Sequence, residues 1–137
     1  MNKAILILIA LLGMSSSIKA DELHIYQDPV PVGDYVKDEA AMLTKALART
    51  GWVYDQQGKQ QFARLNYKGY QVNVELVHQP AGISLKLLDA SRPDCGKKRC
   101  EADMDKVTGW LVKLRRNIAY ELTLLVRDDA IRRSYAL

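Results

Sequence analysis

The side chains best suited to chemistry are Cys95 and Cys100, separated by Gly96, Lys97, Lys98 and Arg99. In an oxidising compartment, two cysteines in one small domain most often form a structural disulfide. A short loop containing glycine can bring their Cα atoms within bonding range. The loop so closed is small, so the bond is expected to pin the loop more than the fold. An exchanging dithiol is the alternative, because Lys97, Lys98 and Arg99 would favour a thiolate. Against it, the spacing is not C-x-x-C and no thioredoxin-like βαβ pattern surrounds it. Metal binding by the pair is a third reading.

The chain has two histidines, His24 and His78, far apart in sequence. A metal site would need both imidazoles to converge with a carboxylate or thiolate, for which Asp28 and Asp89 are the candidates. Nothing in the spacing demands one, and we expect neither metal nor cofactor. Ser84, Ser91 and Ser134 lack a nearby base pattern, and the acidic residues are scattered over polar positions. No phosphate-loop or nucleophile-elbow pattern occurs. We therefore expect no enzyme.

These residues must be held by a domain of modest size. The 137 residues, 48% of them hydrophobic, suffice for one domain and are too apolar for a disordered chain. Residues 1–20 read as a secretory signal peptide, with Lys3 followed by the apolar run Ala4 to Met14. That run is too short to remain in a bilayer as a span. The mature domain is expected over 21–137, in the bacterial periplasm or secreted. Removal of Lys3 and Lys19 leaves 18 basic against 16 acidic residues, a net charge of about +2. So small a surplus argues against nucleic acid. Its clusters (Lys97, Lys98 and Arg99; Lys113, Arg115 and Arg116; Arg127, Arg132 and Arg133) read as solvated faces or as contacts to an anionic envelope component.

The positioning elements follow from periodicity. The lead-in from Asp21 to Asp34 carries Pro29 and Pro31, which oppose a helix or a central strand, while Leu23 and Ile25 suit a short edge strand or docked arm. Asp34 can cap a helix running to about Thr50, with Tyr35, Met42, Leu43, Ala46 and Leu47 on one stripe and Gly51 as its stop. Alternating strands then follow: one from Trp52, one over 60–67, one over 70–79 and one from Ile83. Lys68-Gly69 makes a two-residue turn that pairs Tyr67 with Tyr70, Leu65 with Val72 and Ala63 with Val74. Met104, Val107, Leu111, Leu114, Ile118, Leu122 and Leu125 mark a long helix over about 103–126, with 127–137 a basic tail that extends or frays. Trp110 widens its buried face or anchors a partner. The fold class is α+β. A meander of three to four antiparallel strands forms a two-layer sandwich, covered on one face by an N-terminal and a long C-terminal helix.

On this reading Arg64, Asn73, Glu75, Ser84 and Lys86 share the polar sheet face, where Arg64 and Glu75 can pair diagonally and add little stability. The face is either plainly solvated or a recognition platform, to which the loop cations Lys97, Lys98 and Arg99 would add. Val77 and Leu88 also emerge there.

Several motifs together resemble a group of small secreted bacterial proteins, many of them lipoproteins of unassigned role. They are Gly51-Trp52 after a helix, Ala63-Arg64-Leu65 and Lys68-Gly69-Tyr70 in a hairpin, Val72 and Val74 in the next strand, Asp89 and Ser91 at a strand end, and Trp110, Leu114 and Ile118 in a helix. The resemblance spans about residues 38–122 and implies an α+β periplasmic domain without a known activity. This chain departs from it by lacking the lipidated cysteine and by carrying the Cys95–Cys100 loop. The functional expectation is a binding or accessory protein that contacts another envelope protein or an anionic envelope component. The alternative is a redox or metal-handling protein using Cys95 and Cys100.

Overall fold

The computed structural model describes residues 24–93, 95–96 and 100–136. The 1–20 leader and the loop cations Lys97, Lys98 and Arg99 lie outside the described residues. Helix α1 (Glu39–Ala48) precedes four strands, β1 (Trp52–Gln57), β2 (Gln60–Tyr67), β3 (Tyr70–Gln79) and β4 (Gly82–Ser91), and helix α2 (Met104–Tyr135) follows. The strands pair in sequence order, β1-β2-β3-β4, all antiparallel. The result is the α+β two-layer sandwich expected from the alternation.

The β2–β3 hairpin has the expected register, with Tyr67 opposite Tyr70, Leu65 opposite Val72 and Ala63 opposite Val74. Lys68 and Gly69 both take positive φ, 47° and 79°, the conformation a tight hairpin turn with the native twist requires. One sheet face therefore presents Ala63, Leu65, Val72, Val74, Leu76, Ile83 and Leu85, all buried. The helices cover that face with Met42, Leu43, Ala46 and Leu47 from α1 and Val107, Leu111, Leu114, Ile118 and Leu122 from α2. Leu43, Leu47, Leu111 and Leu114 are fully enclosed, each contributing about 1.5–3 kcal/mol by burial. Tyr54 faces the same side from β1. Burial raises its phenol above the ordinary range; carboxylates at Glu39, Asp38 and Asp55 add to this, against a hydrogen bond from Gln61.

Two boundaries differ from expectation, and the C-terminal end of α2 takes the first of its two expected courses, extension of the helix. Helix α1 is capped by Asp38, whose carboxylate accepts from the Ala41 N–H at 3.0 Å, and not by Asp34. Asp34 to Lys37 instead form a turn in which Lys37 Nζ donates to the Asp34 carbonyl at 2.9 Å. Helix α2 runs through Tyr135, because the basic tail contains no glycine or proline to stop it. The described part of the lead-in makes a single 3-10 turn, Ile25–Gln27, in place of an edge strand at Ile25, while Leu23 lies outside the described residues. The docked arm lies further on, where Val30 and Ile83 exchange both backbone hydrogen bonds, at 2.8 and 2.9 Å. From α2, Arg115 Nε donates to the Asp28 carbonyl at 2.8 Å and so clamps the arm against the outer edge of β4.

Candidate functional site

The polar sheet face unites only part of the expected surface. Arg64 and Asn73 are direct cross-strand neighbours, and Glu75 lies opposite Lys86. The expected diagonal pair does not form: Arg64 Nη2 meets Asp55 Oδ2 on β1 at 3.1 Å. Asn73 Nδ2 donates to Asp89 Oδ1 at 2.7 Å. Asp55 and Glu75 both stand opposite Phe62, two residues along β2 from Arg64, and the ion pair is made with Asp55. These polar groups satisfy one another on a broad open face. Leu88 emerges there as expected, 44% exposed, and a bulge in β4 makes it the extra residue between Leu87, opposite Val74, and Asp89, opposite Asn73.

Cys95 and Cys100 form the expected disulfide, with Cα atoms 5.6 Å apart. The histidines do not converge. His24 stacks on Tyr26, with ring centroids 5.3 Å apart, and His78 Nε2 bonds the Glu39 carboxylate at the start of α1. Among the described residues no three His, Cys, Asp or Glu side chains gather as a metal site would require.

Arg64 and Asn73 border a shallow cavity of about 540 Å³ on the polar face, and two further cavities meet at the turn of the β2–β3 hairpin. Tyr67 and Tyr70 flank the Lys68-Gly69 turn on the apolar phase of their strands, and Trp110 comes down on both from the second turn of α2. Its ring meets Tyr70 edge-on at 4.9 Å and Tyr67 edge-on at 5.7 Å, the geometry aromatic quadrupoles favour. On one side of this aromatic cluster, Thr50, Trp52, Leu65, Tyr67, Trp110 and Lys113 line a cavity of about 240 Å³. On the other side, Tyr67, Lys68, Tyr70, Arg92, Lys106 and Trp110 line a second cavity of about 420 Å³. Tyr67 and Trp110 form the wall shared by both.

The electrostatics of the pair are one-sided. Lys68, Arg92, Lys106 and Lys113 line them, and among the described residues no carboxylate does. The Arg92 guanidinium lies 4.8 Å over the Tyr70 ring, and its Nε is buried with no hydrogen-bond acceptor among the described residues. The Lys68 ammonium lies 5.2 Å over the Tyr67 ring. A greasy aromatic slot beside a cationic rim suits a ligand with an apolar body and an anionic head.

The disulfide loop bears on this site through Tyr70. The chain enters the loop at Arg92, over the Tyr70 ring, and leaves it at Asp103, whose N–H donates to Tyr70 Oη at 3.2 Å. Asp103 also caps α2, accepting from the Asp105 N–H at 3.1 Å. The bond between Cys95 and Cys100 thus shortens a span held at both ends by one wall of the groove. Paired Cys95→Ser and Cys100→Ser substitutions are expected to lower stability by about 2 kcal/mol at most. Amide exchange from Arg92 to Asp103 should rise well above that of β2 and β3. A global loss of protection would refute the local role.

Of the groove cations, sequence reasoning offered only Lys113 as a contact to an anionic component, and it did not single out Lys68, Arg92 or Lys106. It kept Tyr67, Tyr70 and Trp110 as packing residues, which they also are. The available signal was their placement: three aromatics around one turn and the start of one helix. It also missed Glu121, whose side chain is only 4% exposed. Arg49, at the end of α1, donates to Glu121 Oε1 from Nε at 2.7 Å and from Nη2 as well, and Lys45 Nζ lies 3.8 Å from Oε2. Glu121 falls three residues after Ile118 and four before Leu125, so a carboxylate on the apolar phase of α2 was the sign of a buried pair. No protein-family model, no curated protein and no solved structure matches this chain.

Proposed function

We propose that this chain is a periplasmic or secreted binding protein, not an enzyme, and that it takes an anionic, partly apolar component of the cell envelope in the Tyr67–Trp110 groove. The observation that carries the reading is the pairing of an apolar slot with a rim of four cations, free of carboxylates among the described residues, around shared aromatic walls. The disulfide Cys95–Cys100 suits an oxidising compartment, and no helix among the described residues is long and apolar enough to cross a membrane. The resemblance to small secreted bacterial proteins of unassigned role belongs to the same reading. Redox or metal handling by Cys95 and Cys100 is the competing class; ready exchange of the bond with a mild dithiol would favour it.

Trp52 and Trp110 both line the apolar slot, so their emission reports occupancy. Titration with monomeric lysophosphatidylglycerol is expected to shift that emission saturably, and neutral lysophosphatidylcholine to bind much more weakly. Arg92→Gln combined with Lys106→Gln should weaken the anionic ligand by about tenfold or more. Equal response to both lipids, or none to either, would refute the proposal.

A further inference from the structure

Helix α2 outruns the domain it covers. Its last buried side chain is Leu122, yet the helix continues to Tyr135. From Tyr120 to the end of the helix, Tyr120, Ile131 and Tyr135 are exposed and Leu124 is half-buried. With 3.6 residues per turn, these four fall within about 60° of one another around the axis. They form one apolar stripe, on the flank of the helix turned away from the residues that meet the sheet.

The stripe reads the same in both directions. Tyr120 and Tyr135, then Leu124 and Ile131, are each placed symmetrically about the midpoint between Arg127 and Asp128. An antiparallel partner carrying the same stripe would set Tyr120 against Tyr135, Leu124 against Ile131, and Arg127 against Asp128, twice over. Within one chain Arg127 Nη2 already lies 3.0 Å from Asp128 Oδ1, so the crossing pairs would close a neutral cluster of two cations and two carboxylates at the axis. Self-complementarity of this kind is what a two-fold isologous interface requires. We propose that the α2 extension docks a second copy of this chain, helix against helix and antiparallel, about a two-fold axis passing between Arg127 and Asp128.

The paired length, Tyr120 to Tyr135, is about 24 Å of helix, a small interface that predicts a weak, concentration-dependent dimer. Arg49 lies 4.7 Å over one face of the Tyr120 ring and leaves the residue 49% exposed for the partner. The inference is independent of the groove, whose lining residues all precede Tyr120.

Sedimentation equilibrium on the full mature chain tests it. The wild type should shift from monomer to dimer across a concentration series, and Ile131→Glu should remain monomeric with unchanged circular dichroism. Arg127→Asp alone places like charges across the axis and should weaken the dimer by about threefold to tenfold. Adding Asp128→Arg to that variant should restore it, which simple loss of helix would not do. A wild type that stays monomeric at every concentration overturns the proposal. So does a charge reversal that the second substitution fails to rescue. Monomeric protein that instead cosediments with phosphatidylglycerol vesicles, and loses this in Ile131→Glu, assigns the stripe to lipid and also overturns it.

Discussion

Arg49→Met is expected to destabilise the domain by about 3 kcal/mol, the lower end for stripping one partner from a buried ion pair. The side chain lost is 37% exposed, but the one left behind, Glu121, is 4% exposed. Its carboxylate would keep only Lys45 at 3.8 Å, whose side chain is 69% exposed. Lys45 supplies some compensation, which is why the lower end applies. The midpoint of thermal unfolding should fall by roughly 10–15 °C. Adding Glu121→Leu to the same chain should recover most of the loss, since replacing both members of such a pair by apolar groups is close to neutral. The pair joins α1 to α2 beside the contact from Asn117 Nδ2 to Thr50 Oγ1 at 3.2 Å. An unchanged midpoint for Arg49→Met would show that the carboxylate finds water or another donor.

The second large effect belongs to Gly82. Its φ is +136°, and a Cβ there would stand 2.0 Å from the Val30 carbonyl oxygen and 2.9 Å from the Pro31 Cα. Both obstacles are backbone, so no side chain can swing aside. Gly82→Ala must therefore push the arm off the edge of β4 and break the two bonds between Val30 and Ile83. We expect a loss of about 2–3 kcal/mol, with the Val30 and Ile83 amides exchanging early and proteases cutting between Asp28 and Gly33. Gly58→Ala is the control. It too has positive φ, +62°, but meets nothing within 4 Å, so it should cost only about 1 kcal/mol. Equal effects at the two sites would show that backbone conformation alone, and not the arm, explains Gly82.

Much of the architecture is legible in the residues because alternation and turn chemistry agree there. From Gln60 to Gln79 the apolar phase, the Lys68-Gly69 turn and the cross-strand partners all demand one register, and that register is observed. Boundaries fail where two residues could play the same part. Asp34 and Asp38 are both competent caps, and only the docking of Tyr35 and Val36 against the core selects the second. In the sequence the end of α2 is open between extension and fraying for want of a stop signal, and the helix extends to Tyr135. Leu88 emerges on the polar face as alternation requires, but the bulge there, shifting Asp89 onto Asn73, leaves no mark in alternation beyond two adjacent leucines.

The site was harder to read than the fold. Each aromatic around the groove satisfies a packing rule alone, and only the approach of α2 to the hairpin turns them into a shared wall. Arg92 looks like an ordinary loop cation until Tyr70 is placed beneath it. Arg115, counted among the solvated cations, spends its guanidinium on the carbonyls of Asp28 and Pro29. Such contacts span more than twenty residues of chain, beyond the reach of periodicity.

The neighbour-by-neighbour order of the strands also bears on how the chain reaches this shape. Every strand pairs with the one made just before it, so each hairpin can close as soon as its own residues are available, with little loop entropy to overcome. Helix α1 packs on β1, its neighbour in sequence, but helix α2 has no such advantage, because Glu121 meets Arg49 from 72 positions away. The meander should zip first and stand with much of its greasy side bare. The late arrival of α2 is then the slow event, and the interval before it is when the unfinished molecule is most prone to stick to its neighbours.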